Sequence, residues 1–118
     1  DGKIKLLEGQ IQKQIVQYLE ARGEWVFENR SGKMNALASR LSGGKKQEKG
    51  SPDLFVFLGN DVRDLGVTLA IEVKRPGEKQ RKEQKIWQDE LEDRGHLYLL
   101  VESVDEVIAY MEGARAKA

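Results

Sequence analysis

Cysteine is absent from the 118 residues, which excludes a disulfide scaffold and a thiolate metal site and fits a reducing, intracellular setting. No stretch approaches the ~20 consecutive apolar residues of a membrane span, and no secretory signal with an apolar core is present. No function is read into Asp1 standing first. Histidine occurs once, and His96 falls at a helix-to-strand junction, where the sequence favours a surface role over catalysis. An excess of either charge is also missing: 20 basic residues face 20 acidic ones, which taken alone argues against a dedicated nucleic-acid binder.

The distribution of charge says otherwise. Between Arg30 and Lys49 six basic residues (Arg30, Lys33, Arg40, Lys45, Lys46, Lys49) meet only Glu48, and between Lys74 and Lys85 six (Lys74, Arg75, Lys79, Arg81, Lys82, Lys85) meet Glu78 and Glu83. Acids gather instead over residues 89–93 and 102–112. One face can therefore be basic while the total stays neutral, although a solvated mixed-charge surface produces the same composition. At 39% hydrophobic and 34% charged, the chain reads as one globular domain spanning residues 1–118.

Apolar periodicity gives the element order. Ile4, Leu7, Ile11, Ile15, Tyr18 and Leu19 recur at helical spacing and predict an amphipathic helix ending near Gly23. A short strand is expected over residues 24–28. A Gly-, Ser- and Lys-containing stretch follows from Asn29 to Ser51, in which Met34, Leu37 and Leu41 are spaced for a short helix, as a core flap or a partner-binding stripe. Residues 53–58 and 67–74 read as strands around a Gly59-Asn60-Asp61 turn and predict an antiparallel hairpin. Lys79 to Arg94 reads as a helix closed by Gly95, and Leu97–Val101 as a buried strand. Ser103-Val104-Asp105-Glu106 has the capping-box spacing that begins a last helix. The order α-β-β-β-α-β-α, with a helical crossover between two apolar strands, predicts an α/β fold with a mixed sheet flanked by helices.

The chemistry concentrates where a strand runs into positive charge. Alternation places Val67, Leu69, Ile71 and Val73 on a buried face, and Glu72 with Lys74 on the other, where an isolated E-x-K is ordinarily a surface ion pair. Gly50-Ser51-Pro52-Asp53 alters that reading, because antiparallel pairing brings Asp53 to the same end of the sheet. Asp53, Glu72 and the Val73 backbone carbonyl would make a hard, oxygen-rich site for Mg²⁺ or Mn²⁺, the kind that phosphodiester cleavage needs, with Lys74 stabilising charge. Glu8 borders the first helix's apolar stripe, and Gln84 shares a stripe with Trp87 and Leu91 that turns it inward. Each has a bland alternative, a solvent-facing acid for Glu8 and a backbone-bonded core amide for Gln84. Gly43-Gly44-Lys45-Lys46 lacks the spacing of a nucleotide-binding P-loop.

Together, Glu8 with Gln12, Gly50-Ser51-Pro52-Asp53-Leu54, Ile71-Glu72-Val73-Lys74, and Gln84 followed by Trp87 and Leu91 resemble the virus-type replication-repair nuclease domain, VRR-NUC, of the PD-(D/E)xK superfamily. The resemblance covers roughly residues 4 to 103 and implies the restriction-endonuclease-like fold. It implies that Asp53 and Glu72 are metal ligands, that Lys74 is the catalytic lysine, that Glu8 assists a metal, and that Gln84 orients groups in the site. Small members of phage and bacterial origin resemble dimeric Holliday-junction resolvases. The resemblance therefore implies a Mg²⁺- or Mn²⁺-dependent homodimer in a bacterial cytoplasm, cutting four-way junctions. Cleavage of flapped, nicked or duplex DNA, and a DNA-binding module without catalysis, are the alternatives. Arg30, Lys33, Lys45, Lys46 and Lys49 before the site, and Arg75, Lys79, Arg81 and Lys82 after it, are the expected phosphate contacts.

Overall fold

A computed structural model describes residues 6–29, 50–58 and 67–117, with side chains through residue 113. The expected short helix at Met34–Leu41, the turn at 59–61, Ile4, and the basic residues Arg30, Lys33, Arg40, Lys45, Lys46 and Lys49 lie outside the described residues.

The elements follow the expected order: α1 (Glu8–Ala21), β1 (Trp25–Glu28), β2 (Leu54–Phe57), β3 (Thr68–Val73), α2 (Lys82–Asp93), β4 (Leu97–Val101) and α3 (Val104–Lys117). The four strands form one sheet in the order β1-β2-β3-β4. β1–β2 and β2–β3 are antiparallel, whereas β3 and β4, joined through α2, run parallel. A parallel pair needs a crossover, and α2 supplies it. The sheet is mixed, as the alternation of elements predicts.

Periodicity places the core. Ile11, Ile15 and Leu19 of α1 and Val107 and Met111 of α3 close over Leu54 and Val56, Leu69, Ile71 and Val73, and Val101, all essentially buried. These strand residues share one face of the sheet by the two-residue alternation. α1 starts later than the stripe suggests: Leu7 is its N-cap residue and 58% exposed, its N–H donating to Gln10 Oε1 at 2.8 Å. α2 likewise begins at Lys82 rather than Lys79, because Pro76-Gly77 turns the chain and Arg81 occupies the N-cap position. The capping box of α3 is displaced by one residue. Ser103 Oγ accepts from the Glu106 N–H at 3.4 Å, while Glu106 Oε1 accepts from the Glu102 N–H at 2.6 Å.

Two expectations fail for tertiary reasons. β3 is buried on both faces, Ala70 and Glu72 as well as Leu69, Ile71 and Val73, because a central strand has neighbours on each side and α2, packed on β4, reaches its second face through Gln84. His96 is half-buried, and its Nδ1 accepts a hydrogen bond from the Thr68 N–H at 3.2 Å, tying the start of β4 to the start of β3.

The energetic weight of the α1–sheet contact is open to measurement. Ile15→Ala should lower unfolding free energy by about 2–5 kcal/mol, as for other fully buried aliphatic truncations, whereas Leu7→Ala at an exposed position should stay within about 0.5 kcal/mol. Urea denaturation of the two variants checks this, and equal losses would contradict the packing described.

Candidate active site

The sheet builds the site at the end where β2 begins and β3 finishes. Leu54 pairs with Ile71, so the register continued by one residue sets Asp53 opposite Glu72. The Asp53 carboxylate accepts a hydrogen bond from the Val73 N–H at 2.8 Å, so the side chain takes the place of a strand partner. Within a strand the N–H and C=O of one residue face the same neighbour, which turns the Val73 carbonyl toward Asp53 as well. Asp53 is held from behind too. Its carbonyl accepts from the Asn29 N–H at 2.9 Å, and Asn29 Nδ2 donates to the Pro52 carbonyl at 2.9 Å and to Ser51 Oγ at 3.0 Å.

Glu72 and Lys74 are each only 4% exposed, which rules out a surface ion pair. Gln84 is 2% exposed and makes two bonds that explain its burial. Its Oε1 accepts from the Arg81 N–H at 2.8 Å, closing the first turn of α2, and its Nε2 donates to Glu72 Oε2 at 3.0 Å. The expected stripe on α2 is only partly inward: Gln84 is buried, whereas Trp87 and Leu91 are half-buried.

Glu72 Oε1 is buried without a hydrogen-bond partner. Burial first, then the charge of Asp53 and a hydrogen bond to it, push the Glu72 carboxyl up to about 9, with Lys74 opposing and Glu8 adding to the rise. A buried carboxyl with an orphaned oxygen, opposite a half-buried one, is what a hard cation would satisfy. Among the described residues no three Asp, Glu or His side chains come together as a cage. The oxygen donors that do come together are the carboxylates of Asp53 and Glu72 and the Val73 carbonyl.

Glu8, first residue of α1, is near this centre but outside it. Its carboxyl is raised, chiefly by burial and then by a hydrogen bond to Glu78 and the charges of Glu78 and Asp53, while Lys74 pulls it down. Glu78 moves the opposite way, lowered first by the Arg75 N–H that donates to its Oε1 at 2.6 Å. Sequence reasoning missed Glu78 and Asn29, because their partners lie on other elements and no spacing marks them. Buried Tyr98 was also missed. Its hydroxyl is raised to about 12, mainly by burial, and lies 3.5 Å from Gln80 Nε2, which donates to it. Gln12, by contrast, donates to Glu28 Oε1 at 3.2 Å. Arg75, Lys79, Arg81 and Lys82 are all exposed around the turn and first residues of α2.

Residues 7–105 match the sequence model of the VRR-NUC domain. The chain belongs to the VRR-NUC family. A solved structure described as a VRR-NUC domain superposes with a TM-score of 0.64 at 26% identity, covering 89% of this chain and 94% of that one. A second, described as a VRR-NUC domain protein, gives 0.68 at 19% identity over 94% and 89%, and shows the shared fold. A comparison with curated proteins returns no match. Membership makes this VRR-NUC domain a nuclease of the PD-(D/E)xK type with DNA as its substrate.

The raised Glu72 carboxyl has a stability consequence with a definite sign. A folded-state value near 9, above the ordinary 4.5, means stability is greatest below the unfolded value and falls as pH rises from about 5 toward 9. Glu72→Gln, which cannot ionise, should flatten that slope and be the more stable protein at pH 8, by an amount on the order of a few kcal/mol. Thermal melts of both proteins from pH 5 to 9 decide it. Parallel curves would show that Glu72 is ionised in the fold like any exposed acid.

Proposed function

We propose that this domain is a structure-selective DNA endonuclease that requires a divalent cation, Mg²⁺ or Mn²⁺, and works as a homodimer on four-way junctions. The observation that carries the metal-dependent part is the buried, unpartnered oxygen of Glu72 facing Asp53, with Lys74 buried in the same cleft. Asp53, Glu72 and the Val73 carbonyl would hold the cation, which when bound lowers the pKa of a water and polarises the phosphoryl oxygen.

The remaining steps belong to the chain. Burial and Asp53 raise the Glu72 carboxyl, so it would release its proton to solvent as a cation binds, leaving a carboxylate to serve as a ligand. Gln84 clamps one oxygen of that carboxylate and leaves the other for the site. Lys74, fixed by the strand two residues on, offers its ammonium to the negative charge that builds on the phosphoryl oxygens during in-line displacement. Glu8 would lend its carboxyl to the edge of the site, where burial, Glu78 and Asp53 raise it and Lys74 pulls it down. Arg75, Lys79, Arg81 and Lys82 would grip the phosphate backbone beside the cleft. Arg30, Lys33, Lys45, Lys46 and Lys49 would extend the grip from the segment leading to Gly50. Such contacts carry affinity without reading bases, so selectivity rests on DNA shape.

Two features support the homodimer. Symmetric cuts across a junction need two sites, and a two-fold pair supplies them. The edge strand β1 and its neighbour β2 leave Trp25 74%, Phe27 55% and Phe57 43% exposed on one face. At ~150–250 Å² per aromatic side chain, this amounts to roughly 350 Å², near half of what each partner buries in a standard interface.

Labelled four-way junction, flap and linear duplex are offered to the protein with Mg²⁺, Mn²⁺ or Ca²⁺. Paired symmetric nicks in the junction are expected with Mg²⁺ or Mn²⁺. Asp53→Ala and Lys74→Ala should each lose about 100-fold or more in rate while still binding DNA. Cutting confined to the flap would sink the junction assignment, and binding without cleavage under every metal would sink the enzyme.

A further inference from the structure

The nuclease site depends on a backbone-to-backbone contact that no side chain announces. Gly50 has φ +84°, and a Cβ built there would fall 2.4 Å from the carbonyl carbon of Glu83, 2.6 Å from its oxygen and 2.7 Å from the backbone nitrogen of Gln84. Real side chains essentially never approach so closely, and backbone cannot swing aside as a flexible side chain can. The other described glycines, including Gly23, Gly77 and Gly95 with similarly positive φ, have nothing within 4 Å of that position. Gly50 is thus distinguished by contact and not by conformation alone.

The contact lies between the two halves of the site. Three residues beyond Gly50, past buried Pro52, is Asp53, and the touched residue Gln84 holds Glu72 through its 3.0 Å bond. α2 also packs on β4 through half-buried Trp87 and Leu91, but Gln84 is its single fully buried residue, so the seating of its first turn rests on a polar contact.

We infer that Gly50 is a positioning residue for this nuclease: its lack of a side chain seats the first turn of α2 against the lead-in to β2, setting Gln84 on Glu72 and Asp53 opposite it. A methyl at position 50 must push either α2 away, withdrawing Gln84 from Glu72, or residues 50–53 away, moving Asp53. The inference rests on the reading of Asp53 and Glu72 as the reaction centre, but the seat itself is measurable without activity.

In the unmodified protein, a nuclear Overhauser effect between a Gly50 Hα and the Gln84 backbone N–H should be strong, and its absence would overturn the seat whatever any variant does. Gly50→Ala is then compared with Gly23→Ala, a change at matched φ without close contact, in wild-type and Gln84→Ala backgrounds. Gly50→Ala alone should shift the Gln84 side-chain amide resonance, speed hydrogen exchange in the first turn of α2, and slow single-turnover cleavage at saturating DNA at least ~10-fold. DNA affinity should change less than about threefold. Added to Gln84→Ala it should cost less than about twofold further, since both act through one bond. An unchanged Gln84 resonance with wild-type cleavage, or a full additional loss in the Gln84→Ala background, would refute the positioning role. Gly50→Ala failing to fold while Gly23→Ala folds, with the Overhauser effect present, would support the contact. Absence of cleavage in the unmodified protein with every structural readout as expected would fault the nuclease reading and leave the seat standing.

Discussion

Everything at this site follows from two carboxyls brought face to face where water cannot reach both. Asp53 and Glu72 meet because the β2–β3 register brings them opposite each other, and the sheet cannot relax them apart without breaking the pairing of Leu54 with Ile71. Each neighbouring feature reads as a response to that confinement. The Val73 N–H takes one oxygen of Asp53, the Gln84 amide takes one of Glu72, and Lys74 supplies a positive charge in the same cleft. Of the two oxygens left over, Glu72 Oε1 is buried without a hydrogen-bond partner.

The molecule divides its labour across the sheet. The face under α1 and α3 is apolar and supplies the packing that fixes strand register. The other face carries the chemistry, and α2 lies over it with a polar contact where a helix ordinarily buries an apolar stripe. A helix held this way depends on backbone fit, and Gly50 with its close approach to Glu83 and Gln84 is where that fit is decided. Stability and function are thereby separable, with the core on one face tolerating what the other face must strain to hold.

Much of this was legible in the primary structure. Ile11, Ile15 and Leu19 repeat at the helical period, and the apolar runs of β2, β3 and β4 are strands because nothing else fits their length, so the element order and mixed sheet followed directly. The motif residues Asp53, Glu72, Lys74 and Gln84 do gather in one place. Leu7 and the start of α2 were misjudged because helix ends are set by capping bonds, Gln10 to Leu7 and Gln84 to Arg81, which periodicity does not register. Trp87 and Leu91 were expected inside. Spacing names a stripe but not how deeply a helix sinks onto its sheet.

The sequence by itself determined the family and the chemical types at the site: two acids, a lysine and an amide, on strands and a helix whose order is fixed by short-range hydrophobic periodicity. Only the tertiary structure decided which of those groups are dry, which are raised in proton affinity and which are clamped. Burial and proton affinity depend on neighbours distant in sequence, Glu72 on Asp53 and Gln84, and Glu78 on Glu8, and no local pattern encodes a distance across a fold. The same holds for Gly50, a turn glycine in the sequence that becomes a point of contact only once α2 is laid against it.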